Sequence, residues 1–212
     1  MGKQIKIGSA LAIVWLLLFL ASLAVGHAPI DVARALASAF TAANSPEALI
    51  LLELRLPRAL LASLVGASLG MAGAALQGLL RNPLAEPGVI GISACAALGS
   101  VLAFYSGLSG AFALALPLGG LIGAALAVLL LYVIAGQGAS TLTLILAGIA
   151  VNSFAGALTA LALNLAPSPY AAYEIMFWLL GSVADRSLEH VALAAPFMLI
   201  GWTLIMTTGR AL

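Results

Sequence analysis

The stretch QGLLRNPLAEPGVIGIS, residues 77–93, sets a polar, proline-bracketed break between two long apolar segments. Arg81, Asn82 and Glu86 lie within it, and Pro83 and Pro87 forbid one continuous helix through them. What flanks this break decides the fold. The chain has 212 residues, of which 64% are hydrophobic and 7% charged, and its mean hydropathy is +1.20. A soluble domain carries about 25% charged residues. This is an integral membrane protein, and the break is a polar loop at a membrane face. On its own the loop reads equally as a plain connection or as a working element.

A spanning helix needs about 20 apolar residues. That length predicts six spans, at roughly 8–26, 59–80, 88–106, 111–135, 141–164 and 188–206. The expected fold is all-α, a polytopic transmembrane helix bundle forming one domain over 1–212. Tyr170 to Leu180 is apolar but too short to cross, and reads as a re-entrant or interfacial helix. The Lys3/Lys6 flank and the apolar run behind it resemble a signal peptide, but the run exceeds the usual h-region and reads as an uncleaved first span. Lys3 and Lys6 favour a cytoplasmic N-terminus. Six spans then place Lys3, Lys6, Arg81 and Arg210 inside, and Arg34, Arg55, Arg58 and Arg186 outside, so basic residues alone divide evenly. Residues 27–57 become an external excursion, with DVARALASAF (Asp31 to Phe40) as a short amphipathic surface helix and Ala43 to Glu47 as a turn. Cys95 falls inside a span and reads as a small packing residue.

Small residues recur along two spans. Ala62, Gly66, Gly70, Ala74 and Gly78 form a ladder in span two; Gly148, Asn152, Gly156 and Ala160 form another in span five. Gly119, Gly123 and Ala127 do so more weakly in span four. In lipid, close backbone approach drives helix association, so span two is expected deep in the bundle. Asn152, the strongest mid-membrane polar group, reads first as an interhelical hydrogen bond and second as a substrate contact.

Catalytic constellations are poor. There is no nucleotide-binding loop, HExxH or GxSxG, neither histidine lies at mid-membrane, and no metal site is expected. His27 reads as solvated at the interface. A net charge of +1 gives no electrostatic case for nucleic acid. No Asp, Glu, Lys or Arg sits at the centre of a predicted span, which argues against a carrier coupled through buried carboxylates. Three polar clusters remain at the faces. Arg55 and Arg58, around Pro57 at the start of span two, suit either the carboxylates of a soluble partner or lipid phosphates. The 77–93 loop and the turn Gly136 to Thr141 are both cytoplasmic on this topology.

The stretch RLPRALLASLVGASLGMAGAALQGLLRNPLAEPGVIGIS closely resembles the signature of FecCD-type permeases, the membrane subunits of ABC importers for iron-siderophore, haem and cobalamin substrates. STLTLILAGIAV and MFWLLGSVADRS also match the family pattern. The resemblance implies that Arg55 and Arg58 receive glutamates of a periplasmic or lipid-anchored substrate-binding protein. It implies a cytoplasmic gate at Asn82 and Leu84, with a second gate position at Ser140 and Thr141. Spans two and five, through Gly66, Gly70, Gly78, Gly148, Asn152 and Gly156, would line the pathway of a homodimer or heterodimer with a second permease chain in the inner membrane. No cofactor is expected in this chain, since a separate cytoplasmic ATP-binding subunit would bind ATP. The family runs to about ten spans, against six here, and the cytoplasmic coupling helices follow that point. A truncated product or a split gene is therefore expected. The rival readings are an ATPase-independent channel or secondary carrier, and a non-functional fragment.

Overall fold

The computed structural model describes residues 2–26, 28–41, 45–112, 114–184 and 186–209; His27, Asp185, Arg210 and part of the Ala43 to Glu47 turn lie outside them. The described residues are helical almost throughout. The helices are α1 (Gly2–Ala24), α2 (Val32–Thr41), α3 (Pro46–Leu49), α4 (Leu56–Leu80), α5 (Ile92–Tyr105), α6 (Leu108–Ala111), α7 (Ala115–Ala135), α8 (Thr141–Asn164), α9 (Pro169–Leu180) and α10 (Leu188–Thr208). Five helical runs are long and apolar enough to cross a membrane: Ile5–Ala24, Pro46–Leu80, Ala115–Ala135, Thr141–Asn164 and Leu188–Thr208. Most of their large side chains point outward, as lipid permits.

The third predicted span is corrected. Pro87–Ile90 forms a 3-10 turn, Gly91 adopts φ +80°, and only Ile92–Tyr105 is α-helix. Those 14 residues reach about 21 Å. A helix pattern read from apolar residues alone does not register the left-handed glycine that divides it.

The chain forms two compact units, Met1–Ser68 with Val183–Thr207, and Leu69–Ser182 with Thr208–Leu212. The run from Pro46 to Leu80, which begins in the first unit, is 35 residues long, not the 22 implied by a start at 59. It passes Pro57 by means of a π-turn at Ile50–Arg55, in which the Leu56 amide donates to the Leu51 carbonyl. Proline lacks the amide proton and its ring presses on the carbonyl four residues back, so the wider turn before Pro57 relieves the clash. The inserted residue also turns Arg55 inward. Arg55 donates from Nη1 to the carbonyls of Leu23 (2.8 Å) and Ala24 (2.6 Å), and from Nη2 to that of Ala28. Arg58 reaches the carbonyls of Ser22 (3.2 Å) and Val25 (3.3 Å). α1 has no basic residue in its own last turn, so the two guanidiniums supply the C-terminal cap and complement the helix dipole. Tryptophans add two further ties to α4: Trp15 of α1 donates to Ser63 and Trp202 of α10 to Ser68.

In the second unit, α5 lies against α7 so closely that a Cβ on Gly99 would strike the Gly119 carbonyl, and one on Gly123 the Cys95 carbonyl. Cys95, Ala127, Leu131, Ala147, Val151 and Ala155 form the core beside them. The ladder that looked weakest thus makes the tightest helix contact. The span-two ladder does the opposite: Gly66 and Gly70 are exposed with nothing near their Cβ positions. Spacing marks a smooth face but not what occupies it, and the expectation of a helix touched on several sides is corrected.

Replacing Arg55 by Met should cost about 1–3 kcal/mol by stranding buried carbonyls. Arg55→Lys should recover part of it. Thermal unfolding in detergent measures this, with exposed Arg34→Ala as the control expected to shift little.

Candidate functional site

The 77–93 segment begins where α4 ends. The Asn82 amide donates to the Gln77 carbonyl (3.2 Å) and the Arg81 amide to that of Gly78 (3.3 Å). This pair of bonds is a Schellman closure, and it needs a left-handed residue at its bend. Arg81 occupies that place at φ 48°, alone among the described non-glycine residues. Beyond it the Asn82 carboxamide oxygen accepts from the Leu84 amide (2.9 Å), an Asx-turn that carries the chain over Pro83. The Gln77 side chain donates to the Ala85 carbonyl (3.4 Å), tying the loop back to α4. Leu84 projects at the tip, 85% exposed. Glu86 is extended, as a residue before proline prefers, and Pro87 starts the 3-10 turn.

Ser140 begins α8 as its N-cap, accepting from the Thr143 amide (3.2 Å) and sharing a hydrogen with the Thr143 hydroxyl (2.9 Å). Its hydroxyl is therefore committed to the helix start. The turn before it runs through Gly136 and Gly138, both at positive φ. A cavity of about 240 Å³ is lined by Asn82, Leu84, Glu86 and Ile90 together with Leu144 and Ile145 of the first turns of α8. The 77–93 loop therefore shares a cavity with the first turns of α8, whereas no residue of the Gly136 to Thr141 turn, Ser140 and Thr141 included, lines it.

The remaining expected site residues divide. Arg55 is 4% exposed and its donors are taken by the carbonyls of Leu23, Ala24 and Ala28, so it caps the end of α1. The sequence could not reveal this because the π-turn sets where its side chain points. Arg58 is half-buried with two longer bonds. Among the pathway candidates, Gly148 is buried against the backbone of Val89 and Ile90, whereas Gly156 has an open Cβ position and Asn152 is exposed. The interhelical bond expected of Asn152 is not made among the described residues. Sequence reading missed Gly91 as a site residue. Its signal was a glycine four residues after Pro87, where a 3-10 turn must be closed before the next helix.

Arg81→Gly should raise the thermal midpoint, because a side chain in the left-handed region costs about 1–2 kcal/mol. Arg81→Asn should give a smaller rise and Arg81→Val a fall, read by unfolding in detergent.

The profile of the FecCD transport family matches residues 13–212. The chain is 34% identical to the iron-uptake system permease protein FeuC of Bacillus subtilis, over 90% of this chain and 59% of that protein. It is 38% identical to the vitamin B12 import system permease protein BtuC of Vibrio cholerae, over 79% of this chain and 51% of the relative. The chain spans about half the length of the curated relatives it matches. Among solved structures, an inward-facing conformation of an ABC transporter of metal-chelate type superposes with a TM-score of 0.81 at 27% identity, covering 96% of this chain and 62% of that one. With a profile match over nearly its whole length and an all-helical, multi-pass architecture shared with a solved transporter, the chain belongs to the FecCD transport family.

Proposed function

We propose that this chain is a transmembrane permease subunit of a binding-protein-dependent ABC importer that moves an iron chelate, haem or cobalamin-type substrate. It works by alternating access in the cytoplasmic membrane, with its N-terminus inside. A separate ATP-binding subunit supplies the energy, so this chain holds no cofactor. A substrate-binding protein delivers the cargo, and a second permease chain completes the pathway. The observation that carries the reading is the meeting of Asn82 and Leu84 with the start of α8 around one cavity, in a chain of this family. The exposed tip at Leu84 and the turn capped by Ser140 and continued by Thr141 form the cytoplasmic gate. The iron-uptake and B12-import relatives support the substrate class.

The open small-residue faces belong to the same reading. Gly66 and Gly70 on α4, and Gly156 beside exposed Asn152 on α8, have no neighbour among the described residues at their Cβ positions. Each of these helix faces, with Gly78 on α4, is a pathway-lining surface in its own right, where small side chains leave width and the Asn152 amide offers a polar contact. Arg58 carries the docking role, because its donors are less fully engaged than those of Arg55.

Charge reversal tests the docking arm. Arg58→Glu places like charge against an acidic partner, which should weaken docking by about tenfold or more. Uptake of radiolabelled iron chelate and cobalamin, in cells carrying the ATP-binding and substrate-binding subunits, should fall with it. Uptake that survives an inactive ATP-binding subunit but collapses with the ion gradient would replace this reading by a secondary carrier.

A further inference from the structure

We propose that the backbone contact between Gly91 and the Gly148–Asn152 turn of α8 is a joint that makes the loop and the start of α8 one moving body. Gly91 and Gly148 are then positioning residues for the cytoplasmic gate; this rests on the gate reading given above. A Cβ on Gly91 would lie 2.7 Å from the Asn152 amide nitrogen, 3.0 Å from its Cα and 3.1 Å from the Gly148 carbonyl oxygen. From the other side, a Cβ on Gly148 would lie 3.0 Å from the Ile90 Cα and 3.2 Å from the Val89 carbonyl oxygen. All five are backbone atoms, which cannot swing aside as a side-chain end can. Two glycines facing each other let two main chains touch here.

The contact is specific to this level of the helix. Gly156, two turns further along α8, has an open Cβ position. Gly148 is flanked by Ala147 and Val151, both in the core cluster against which Ile90 packs. Close-packed interiors transmit displacement because they cannot open a void cheaply. A shift of α8 at this level therefore takes residues 87–91 with it.

The other end of the loop is held as well, by the closure at Arg81 and by the Gln77 bond to Ala85. The Asn82–Glu86 segment thus hangs between the end of α4 and the side of α8. Ser140 caps α8 about two turns before Gly148, or roughly 12 Å along the axis. Both gate elements ride on the same stretch of one helix. They are displaced together, and the gate has one degree of freedom in each chain where two loops would suggest two.

The test uses the full chain in lipid nanodiscs, read by amide hydrogen exchange with peptide resolution, and cells with the partner subunits for uptake. Gly148→Ala should speed exchange across residues 81–91 by about fivefold or more, the effect of overpacking a tight contact. Gly148→Val should speed it further, Gly156→Ala should leave it unchanged, and peptides from α5 and α7 should keep their protection. Unchanged exchange at 81–91 in both Gly148 variants would overturn the joint whatever uptake does. Exchange that rises equally in α5 and α7 would overturn it too, since the contact would then be general packing. Uptake should fall in Gly148→Ala and in Leu84→Ala. Faster exchange at 81–91 with normal uptake in both variants would overturn the gate reading and leave the joint standing.

Discussion

Every helix end leaves backbone amides or carbonyls without intrahelical partners, and a chain built of helices must supply those partners at each stop. The rest of this structure depends on how that demand is met. α1 ends on the guanidiniums of Arg55 and Arg58, brought to it by the π-turn ahead of Pro57. α4 ends on a closure built from its own last carbonyls. α8 and α9 start on the side chains of Ser140 and Ser168. Because lipid gives apolar faces no reason to seek one another, these end devices and the glycine contacts fix where the helices lie.

The parts of the fold that were legible in the sequence follow from composition and local chemistry. An apolar run bounded by Ser140 and Asn164 had to be a long helix, and α8 occupies 141–164. Tyr170 to Leu180 was too short to cross, and α9 has 12 residues. The proline-bracketed loop announced itself for the same reason. What could not be read was identity of partner. Gly99 sits alone in its segment, yet it receives α7 at Gly119. The five-residue ladder of α4 meets none of the described residues at Gly66 or Gly70. The direction of Arg55 depends on one extra residue in a helical turn, which spacing cannot express.

The same limit governs the candidate site. Asn82 and Leu84 were pointed to by the family resemblance of their stretch, and the structure sets them around one cavity with the first turns of α8. Gly91 drew no attention because its work is done by absence of a side chain against a main chain distant in sequence. The loop, its joint and α8 all lie within the Leu69–Ser182 unit, whereas Arg55 and Arg58 belong to the unit containing α1 and α10.

The division of the third crossing into a 3-10 turn and a short helix has a consequence for the lipid. α5 alone reaches about 21 Å, well short of a hydrocarbon core of about 30 Å. The difference must be met by Pro87–Gly91 or by thinning of the membrane around it, at a cost of fractions of a kcal/mol for each ångström of mismatch. Any such adjustment at Pro87–Gly91 falls on the turn that joins the Asn82–Glu86 segment to α5.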